Sequence, residues 1–253
     1  MIKIKDLHKS FGDHEVLKGI SAEFYKGKTN LIIGQSGSGK TVFLKCLLGL
    51  LKPEKGSITY EKEDFLKMTE EEQQIFRQQL GMVFQGSALF DTMSVGENVM
   101  FPLRMFSSMN PEERVDRMIE VLKRVGLENV EDKAPSELSG GMQKRVAIAR
   151  AIANNPKYLF CDEPNSGLDP ETATMIDNLI QEITHEYNIT TVINTHDMNS
   201  VLEIGESIVF LKFGEIKWQG TNKEVFKTDN KAISEYIYSS DLFKQVRKAH
   251  LNK

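Results

Sequence analysis

The stretch Gly34-Gln35-Ser36-Gly37-Ser38-Gly39-Lys40-Thr41 constrains this chain more than any other. It follows the apolar run Leu31-Ile32-Ile33, which reads as a buried strand, and precedes the helical pattern Val42-Phe43-Leu44-Lys45-Cys46-Leu47-Leu48. The spacing satisfies G-x-x-x-x-G-K-[ST] with the strand and helix that this pattern requires on either side. Gly34, Gly37 and Gly39 open backbone angles closed to other residues, so that successive N–H groups of residues 34–39 turn inward around phosphate oxygens. The helix beginning at Lys40 aims its positive end at the same anion. Lys40 adds a full charge for the β- and γ-phosphates, and the Thr41 hydroxyl is a ligand for Mg²⁺. The stretch reads as a nucleoside triphosphate site on an α/β scaffold.

Composition narrows the classes of partner. At 253 residues, with 40% hydrophobic and 27% charged residues, the chain suits one large soluble α/β domain or a core with a subdomain. A net charge of −4 provides no general basic field for nucleic acid or anionic lipid. Cys46 and Cys161 both lie inside apolar runs, as reduced thiols do in a reducing compartment. The start, Met1-Ile2-Lys3-Ile4-Lys5-Asp6, alternates like a strand and lacks a signal-peptide block. No apolar run approaches the ~20 residues that cross a bilayer. The expectation is a cytoplasmic protein that reaches a membrane only through a partner.

Residues 1–30 read as antiparallel strands around a turn at Lys9-Ser10-Phe11-Gly12-Asp13. Phe11 is either a plain hairpin aromatic or a flat surface for a nucleotide base. The strand Leu80-Gly81-Met82-Val83-Phe84 ends at Gln85, which either closes the strand or holds Mg²⁺ and a water at the sheet's carboxyl edge. Residues 86–155 read as a helical insertion. Pro111 with Glu112-Glu113 starts one of its helices, and Val115, Met118, Ile119, Leu122 and Val125 line one face of it. Leu89, Phe90, Phe101, Met105 and Phe106 together exceed the apolar needs of a small lobe and suggest a docking surface.

In Leu138-Ser139-Gly140-Gly141-Met142, Ser139 is a natural N-cap, and the two glycines leave N–H groups open to an anion at a second helix start. Tyr158-Leu159-Phe160-Cys161-Asp162-Glu163 is an apolar strand ending in two acids. Such carboxylates are costly without a metal or a partner, and Mg²⁺ supplies one for Asp162 while Glu163 is free to orient and deprotonate water. Asp169 before Pro170 caps the next helix. His196 follows the strand Thr190-Thr191-Val192-Ile193-Asn194-Thr195, on the carboxyl edge where open α/β sheets bind ligands. Residues 207–218 read as a hairpin turning at Phe213-Gly214, and residues 222–253 as two short helical patterns with a basic end.

This ordered set resembles the ATP-binding subunit of an ABC transporter over essentially all of residues 1–222. Residues 34–41 match its Walker A motif, Gln85 its Q-loop, residues 138–142 its signature, residues 158–162 with Glu163 its Walker B motif and catalytic acid, residues 166–169 its D-loop, and His196 its switch histidine. The signature departs from the usual form by ending in Met142 rather than glutamine. The resemblance implies an α/β P-loop NTPase (RecA-like) core with an N-terminal antiparallel β subdomain and an inserted α-helical subdomain. The whole chain is expected to be one ATPase domain: residues 1–85 and 156–222 form the core, 86–155 the helical subdomain and 223–253 a tail.

The resemblance further implies ATP hydrolysis with ATP and Mg²⁺ as ligands. ATP is expected on Phe11, Gly34, Gln35, Ser36, Gly37, Ser38, Gly39, Lys40 and Thr41, completed in trans by Ser139, Gly140, Gly141 and Asp169 of a second copy. Mg²⁺ is expected on Thr41, Gln85 and Asp162. Glu163, His196, Gln85 and Lys40 are the expected catalytic residues, with Glu163 as general base. Phe11 then takes the place of the adenine-stacking aromatic. The expected assembly is a homodimer on an integral membrane permease, docked through Leu89 and Phe90, at the cytoplasmic face of the inner membrane, with no nucleic acid.

Within that family, residues 84–95, the segment from Glu97-Asn98-Val99 through Pro102-Leu103-Arg104, the methionine-ended signature and Glu163-Pro164-Asn165-Ser166-Gly167-Leu168-Asp169-Pro170 look like the Mla/Mce phospholipid-transport ATPases. That narrower likeness implies phospholipid or related hydrophobic cargo, with an Mce-domain partner and a small STAS-like accessory subunit. The alternatives are a small polar solute importer, a lipoprotein-release system, or a soluble ATPase acting on nucleic acid or ribosomes.

Overall fold

The computed structural model describes residues 1–238; the expected basic end at Lys244, Arg247 and Lys248 lies outside the described residues. In chain order the elements are β1 (Ile2–Phe11), β2 (His14–Phe24), β3 (Thr29–Ile33), α1 (Lys40–Leu47), β4 (Lys55–Tyr60) and β5 (Glu63–Asp64). There follow α2 (Glu70–Arg77), β6 (Leu80–Val83), α3 (Val95–Phe106), α4 (Pro111–Arg124), α5 (Gly140–Ile152) and β7 (Tyr158–Asp162). The remainder comprises α6 (Pro170–Glu186), β8 (Thr190–Thr195), α7 (Met198–Ile204), β9 (Ser207–Lys212), β10 (Glu215–Gly220) and α8 (Lys231–Ile237). Single 3₁₀ turns sit at Phe65–Lys67 and Pro135–Glu137. This is the α/β class expected. Among the described residues no helix is long and apolar enough to cross a membrane.

The chain separates into two compact units, residues 1–25, 29–66 and 194 onward in one, and 26–28 with 67–193 in the other. In the first, β1 pairs antiparallel with β2 and β4, within a four-stranded sheet of order β2-β1-β4-β5. Alternation drives this pairing: Ile2, Ile4 and Leu7 of β1 are buried, as are Leu17, Ile20, Ala22 and Phe24 of β2. Strand β3 pairs in parallel with β9, and β9 antiparallel with β10. The β9–β10 hairpin turns at Phe213 (φ 54°) and Gly214 (φ 80°), the two-residue turn whose twist matches the strands. Helix α8 begins the tail, burying Ile233 and Ile237 and stacking Tyr236 on Phe210 of β9, with ring centroids 5.0 Å apart.

A bulge in β1 carries a charge cluster. Its register with β2 slips around Leu7, and His8 sits between two carboxylates, Nδ1 2.8 Å from Glu15 Oε1 and Nε2 3.0 Å from Asp6 Oδ1. The hydrogen bond to Glu15, then that to Asp6, raises the imidazole pKa. A folded-state pKa above the unfolded one adds stability below the unfolded value, lost as pH rises through the folded value. The variant His8→Gln is therefore expected to melt lower than the parent below about pH 6 and to converge on it above about pH 8, read by paired thermal melts. A melting difference independent of pH would contradict the clasp.

In the second unit β6 and β7 run parallel, Leu80 opposite Tyr158 through Val83 opposite Cys161, and helices α3, α4 and α5 pack on one another. The helix starts follow from their caps. Ser94 and Asn110 form reciprocal capping boxes with Glu97 and Glu113, and Pro111 occupies the first turn of α4. The buried stripe of α4 differs from the one the apolar spacing predicts. Met118, Val121, Leu122 and the following Val125 are buried, whereas Val115 and Ile119 stand 41% and 51% exposed. The stripe is displaced because Arg117 is drawn inward, donating from Nε to Ala153 O (3.0 Å) and from Nη2 to Ile152 O (3.2 Å) at the carboxyl end of α5. Carbonyls at a helix end lack intrahelical partners, and a guanidinium satisfies them well. Cys46 and Cys161 are free and buried, as expected, and burial pushes the Cys46 thiol up to about 12.

Candidate active site

In the first unit all of β3 is buried, and it delivers the chain to Gly34. Gly34 has φ 153°, and a Cβ there would lie 2.2 Å from Leu211 O, so only glycine fits. Gln35, Ser36 and Gly37 are exposed, and α1 opens at Lys40 behind a Gly39 N-cap that offers no side-chain acceptor. The first N–H groups of α1 are thus left for an external anion. Lys40 is 7% exposed and curls over the loop, its Nζ donating to Gly34 O (2.8 Å) and Gln35 O (3.1 Å). The Ser38 hydroxyl is buried without a hydrogen-bond partner. The orphaned Ser38 hydroxyl within this glycine cradle suits the phosphates of a nucleotide, and the Lys40 ammonium sets a cation beside it. The Thr41 hydroxyl-bearing side chain is exposed at the same helix start.

Strand β1 runs on through Phe11, and only Gly12 and Asp13 turn, so Phe11 stands at the hairpin end, 48% exposed. Lys9 Nζ lies 5.2 Å from its ring centroid and is anchored by Glu54 and by Lys52 O (2.9 Å). A cation over the ring leaves a flat aromatic surface available for stacking. His196 is exposed just past β8, and the next residue, Asp197, caps α7 at Asn199 N (2.8 Å).

In the second unit the structure brings Gln85, Glu163 and Ser166 together. Gln85 Nε2 donates to Glu163 Oε2 (3.0 Å) and to Ser166 Oγ (3.3 Å), across 78 and 81 residues of sequence. Glu163 directly follows Asp162 at the end of β7 and has φ 47°, a conformation that costs a non-glycine residue about 1–3 kcal/mol and concentrates at functional sites. The loop after it is held by Asn165, which donates 3.0 Å to the buried Asp177 of α6. Asp169 caps α6 by accepting from Thr172 N (3.0 Å), and its hydrogen bonds with Thr172 hold its carboxyl below the usual range.

Ser139 likewise caps α5, accepting from Met142 N (3.3 Å). The first intrahelical bond is Gln143 N to Ser139 O (2.9 Å), so the Gly140 and Gly141 amides precede the ladder, at an exposed helix start. A Cβ on Gly141 would meet Thr172 Cγ2 at 2.6 Å, which keeps this turn bare. Within the second unit, Asp162 and Gln85 offer a carboxylate and an amide oxygen, hard donors of the kind that suit Mg²⁺.

A cavity of about 470 Å³ opens beside the same loop, lined chiefly by Met82, Phe84, Phe90, Phe101, Phe106 and Arg150. The Phe90 and Phe101 rings lie 4.8 Å apart. Of the two expected docking residues, Phe90 lines the cavity, whereas the half-buried Leu89 does not. The buried Asn98 sets the backbone of Phe90, accepting from its N–H (2.8 Å) and donating to its carbonyl (3.1 Å). Sequence reasoning missed Lys144, Arg150 and Asp177; only their partners, and for Lys144 and Asp177 their burial, mark them.

Residues 17–166 match the model of the family described as ABC transporter. The methionine import ATP-binding protein MetN of Clostridium tetani is 39% identical over 243 residues, covering 96% of this chain and 76% of that protein. The nopaline permease ATP-binding protein P of Agrobacterium fabrum is 41% identical over 234 residues, covering 88% and 90%. Among solved structures, the dimeric post-hydrolysis state of the ATP-binding cassette MJ0796 bound to ADP and Pi superposes with a TM-score of 0.79. It is 35% identical, covering 88% of this chain and 99% of that one.

Proposed function

The chain belongs to the ABC transporter family as an ATP-binding, ATP-hydrolysing subunit, and we propose that it is the motor of a membrane importer of small polar solutes, working as a head-to-tail homodimer. One observation carries the coupling: the loop whose Gln85 side chain reaches Glu163 continues into Phe90 at the apolar cavity. A permease segment seated there has a short path to the catalytic base, along the backbone of residues 85–90 and through the Gln85–Glu163 hydrogen bond. The dimer with ADP and Pi in MJ0796 supports the paired arrangement. Residues 1–85 and 156–222 serve as the core, and residues 86–155 as the helical subdomain that meets the permease at the inner face of the membrane.

In this reading Phe11 stacks the adenine, the 34–39 amides and Lys40 take the phosphates, and Ser139, Gly140 and Gly141 of a second copy close on the γ-phosphate. Thr41, Gln85 and Asp162 would hold Mg²⁺, which would supply positive charge against the phosphates. Glu163 accepts a proton from a water as its oxygen bonds to the γ-phosphorus; the bond to the bridging oxygen breaks, releasing ADP and phosphate. His196 orients that water and holds the γ-phosphate, while Asp169 communicates across the interface. Loss of the γ-phosphate removes contacts on both sides, and the dimer opens.

The methionine and nopaline relatives support small polar cargo over the phospholipid cargo expected from the motifs. A second reading keeps phospholipid transport, with Mce-domain and STAS-like partners, on the strength of the Met142-ended signature and of residues 163–170. The test is to isolate the chain with its native membrane partners in proteoliposomes and to follow ATP hydrolysis. Stimulation by amino acids or similar solutes with a binding protein is expected. Stimulation by phospholipid with an Mce-domain partner favours the second reading. Recovery as a free dimer stimulated by nucleic acid would overturn both.

A further inference from the structure

Helix α5 carries residues 140 and 141 at its start, and from its body two cations, one buried and one half-buried, reach the 85–88 loop. Lys144 is 4% exposed, and its Nζ donates to the carbonyl oxygen of Gln85. Arg150 donates from Nη1 to Ala88 O and from Nη2 to Ser87 O, both at 2.8 Å. Three of four consecutive loop carbonyls are thus held by one helix. The held segment is strained: Ser87 and Ala88, neither of them glycine, have φ 62° and 49°. Burial lowers the pKa of both cations, which is the cost of withdrawing charge from water. A helix anchored only for packing needs neither charge. Placed here, the two cations impose a backbone that the loop would not hold alone, and that backbone directs the Gln85 amide to Glu163 and Ser166.

We infer that Lys144 and Arg150 are positioning residues that clamp the 85–88 loop to the signature helix, so that Gln85 is aimed at Glu163 by the helix that reads nucleotide in the opposite copy. The inference rests on the reading of Gln85 and Glu163 given above and adds the part that links them to α5. Closure on ATP, acting at residues 139–141, then displaces α5 and the loop together. Docking at Phe90, beside Arg150 (guanidinium carbon 5.8 Å from the ring centroid), acts on the same clamp.

The test is a double-mutant cycle on the full chain, reading steady-state hydrolysis of MgATP. Lys144→Met is expected to lower kcat about tenfold, with KM for ATP changed less than about twofold, because the base remains present but misaligned. Lys144→Arg, which restores a donor, is expected to recover most of that loss. In a Gln85→Ala background, Lys144→Met is expected to cost less than about twofold further, since the group it aims is gone. Equal losses in both backgrounds would overturn the clamp and leave a structural role. Should Lys144→Met fail to fold, Lys144→Gln and Arg150→Lys run through the same cycle. Normal turnover in Gln85→Ala alone would instead reject the site reading, and the inference with it.

Discussion

Replacing Glu163 by glutamine is expected to lower kcat for ATP hydrolysis between about a hundredfold and ten-thousandfold while ATP binding persists. The substitution is nearly isosteric, and the amide oxygen of the new side chain still accepts from Gln85 Nε2, now 3.0 Å from Glu163 Oε2. What disappears is the capacity to take a proton from water. The phosphate cradle at residues 34–41 is untouched, so nucleotide affinity has no cause to fall. Near-normal steady-state turnover would contradict the assignment of Glu163 as base and return the role to His196 or to solvent.

The second large effect is expected at the apolar cavity. Phe90→Asp removes a ring packed against Phe101 and replaces the apolar anchor among Met82, Phe84 and Phe106 with a hydrated carboxylate. An aromatic anchor in a desolvated pocket contributes about 2 kcal/mol or more to an interface, so the affinity for the permease falls at least about thirtyfold. Co-purification with the membrane partner and transport are both lost, whereas ATP binding is retained. Ile119→Asp, on the 51% exposed face of α4, is the control and is expected to leave the complex intact. Loss of the complex in both variants, or in neither, would place docking elsewhere.

Local chemistry was legible in the sequence, and long-range pairing was not. The 34–41 turn, the Ser139 and Asp169 caps, Pro111 and the Phe213-Gly214 turn each depend on a few adjacent residues, and each lies where its residue types require. The α4 stripe was misread because Arg117 is pulled inward by carbonyls 35 and 36 residues away. Nothing adjacent in sequence marks Lys144 and Arg150 either, because their partners lie 59 to 63 residues off. Cargo was the least legible, because the candidate residues are proposed as nucleotide and permease contacts, and none as a contact to the solute. There the relatives favour small polar solutes over the phospholipid that the motifs suggested.

In the proposed dimer, residues 34–41 form half of a nucleotide site, completed by residues 139–141 of another copy. The direct measurement is the mass of Glu163→Gln in solution by light scattering, with and without ATP. A doubling of mass on adding ATP is expected, abolished when Ser139→Glu is added to the same chain. A species that binds ATP one to one per chain yet keeps its nucleotide-free mass would contradict it.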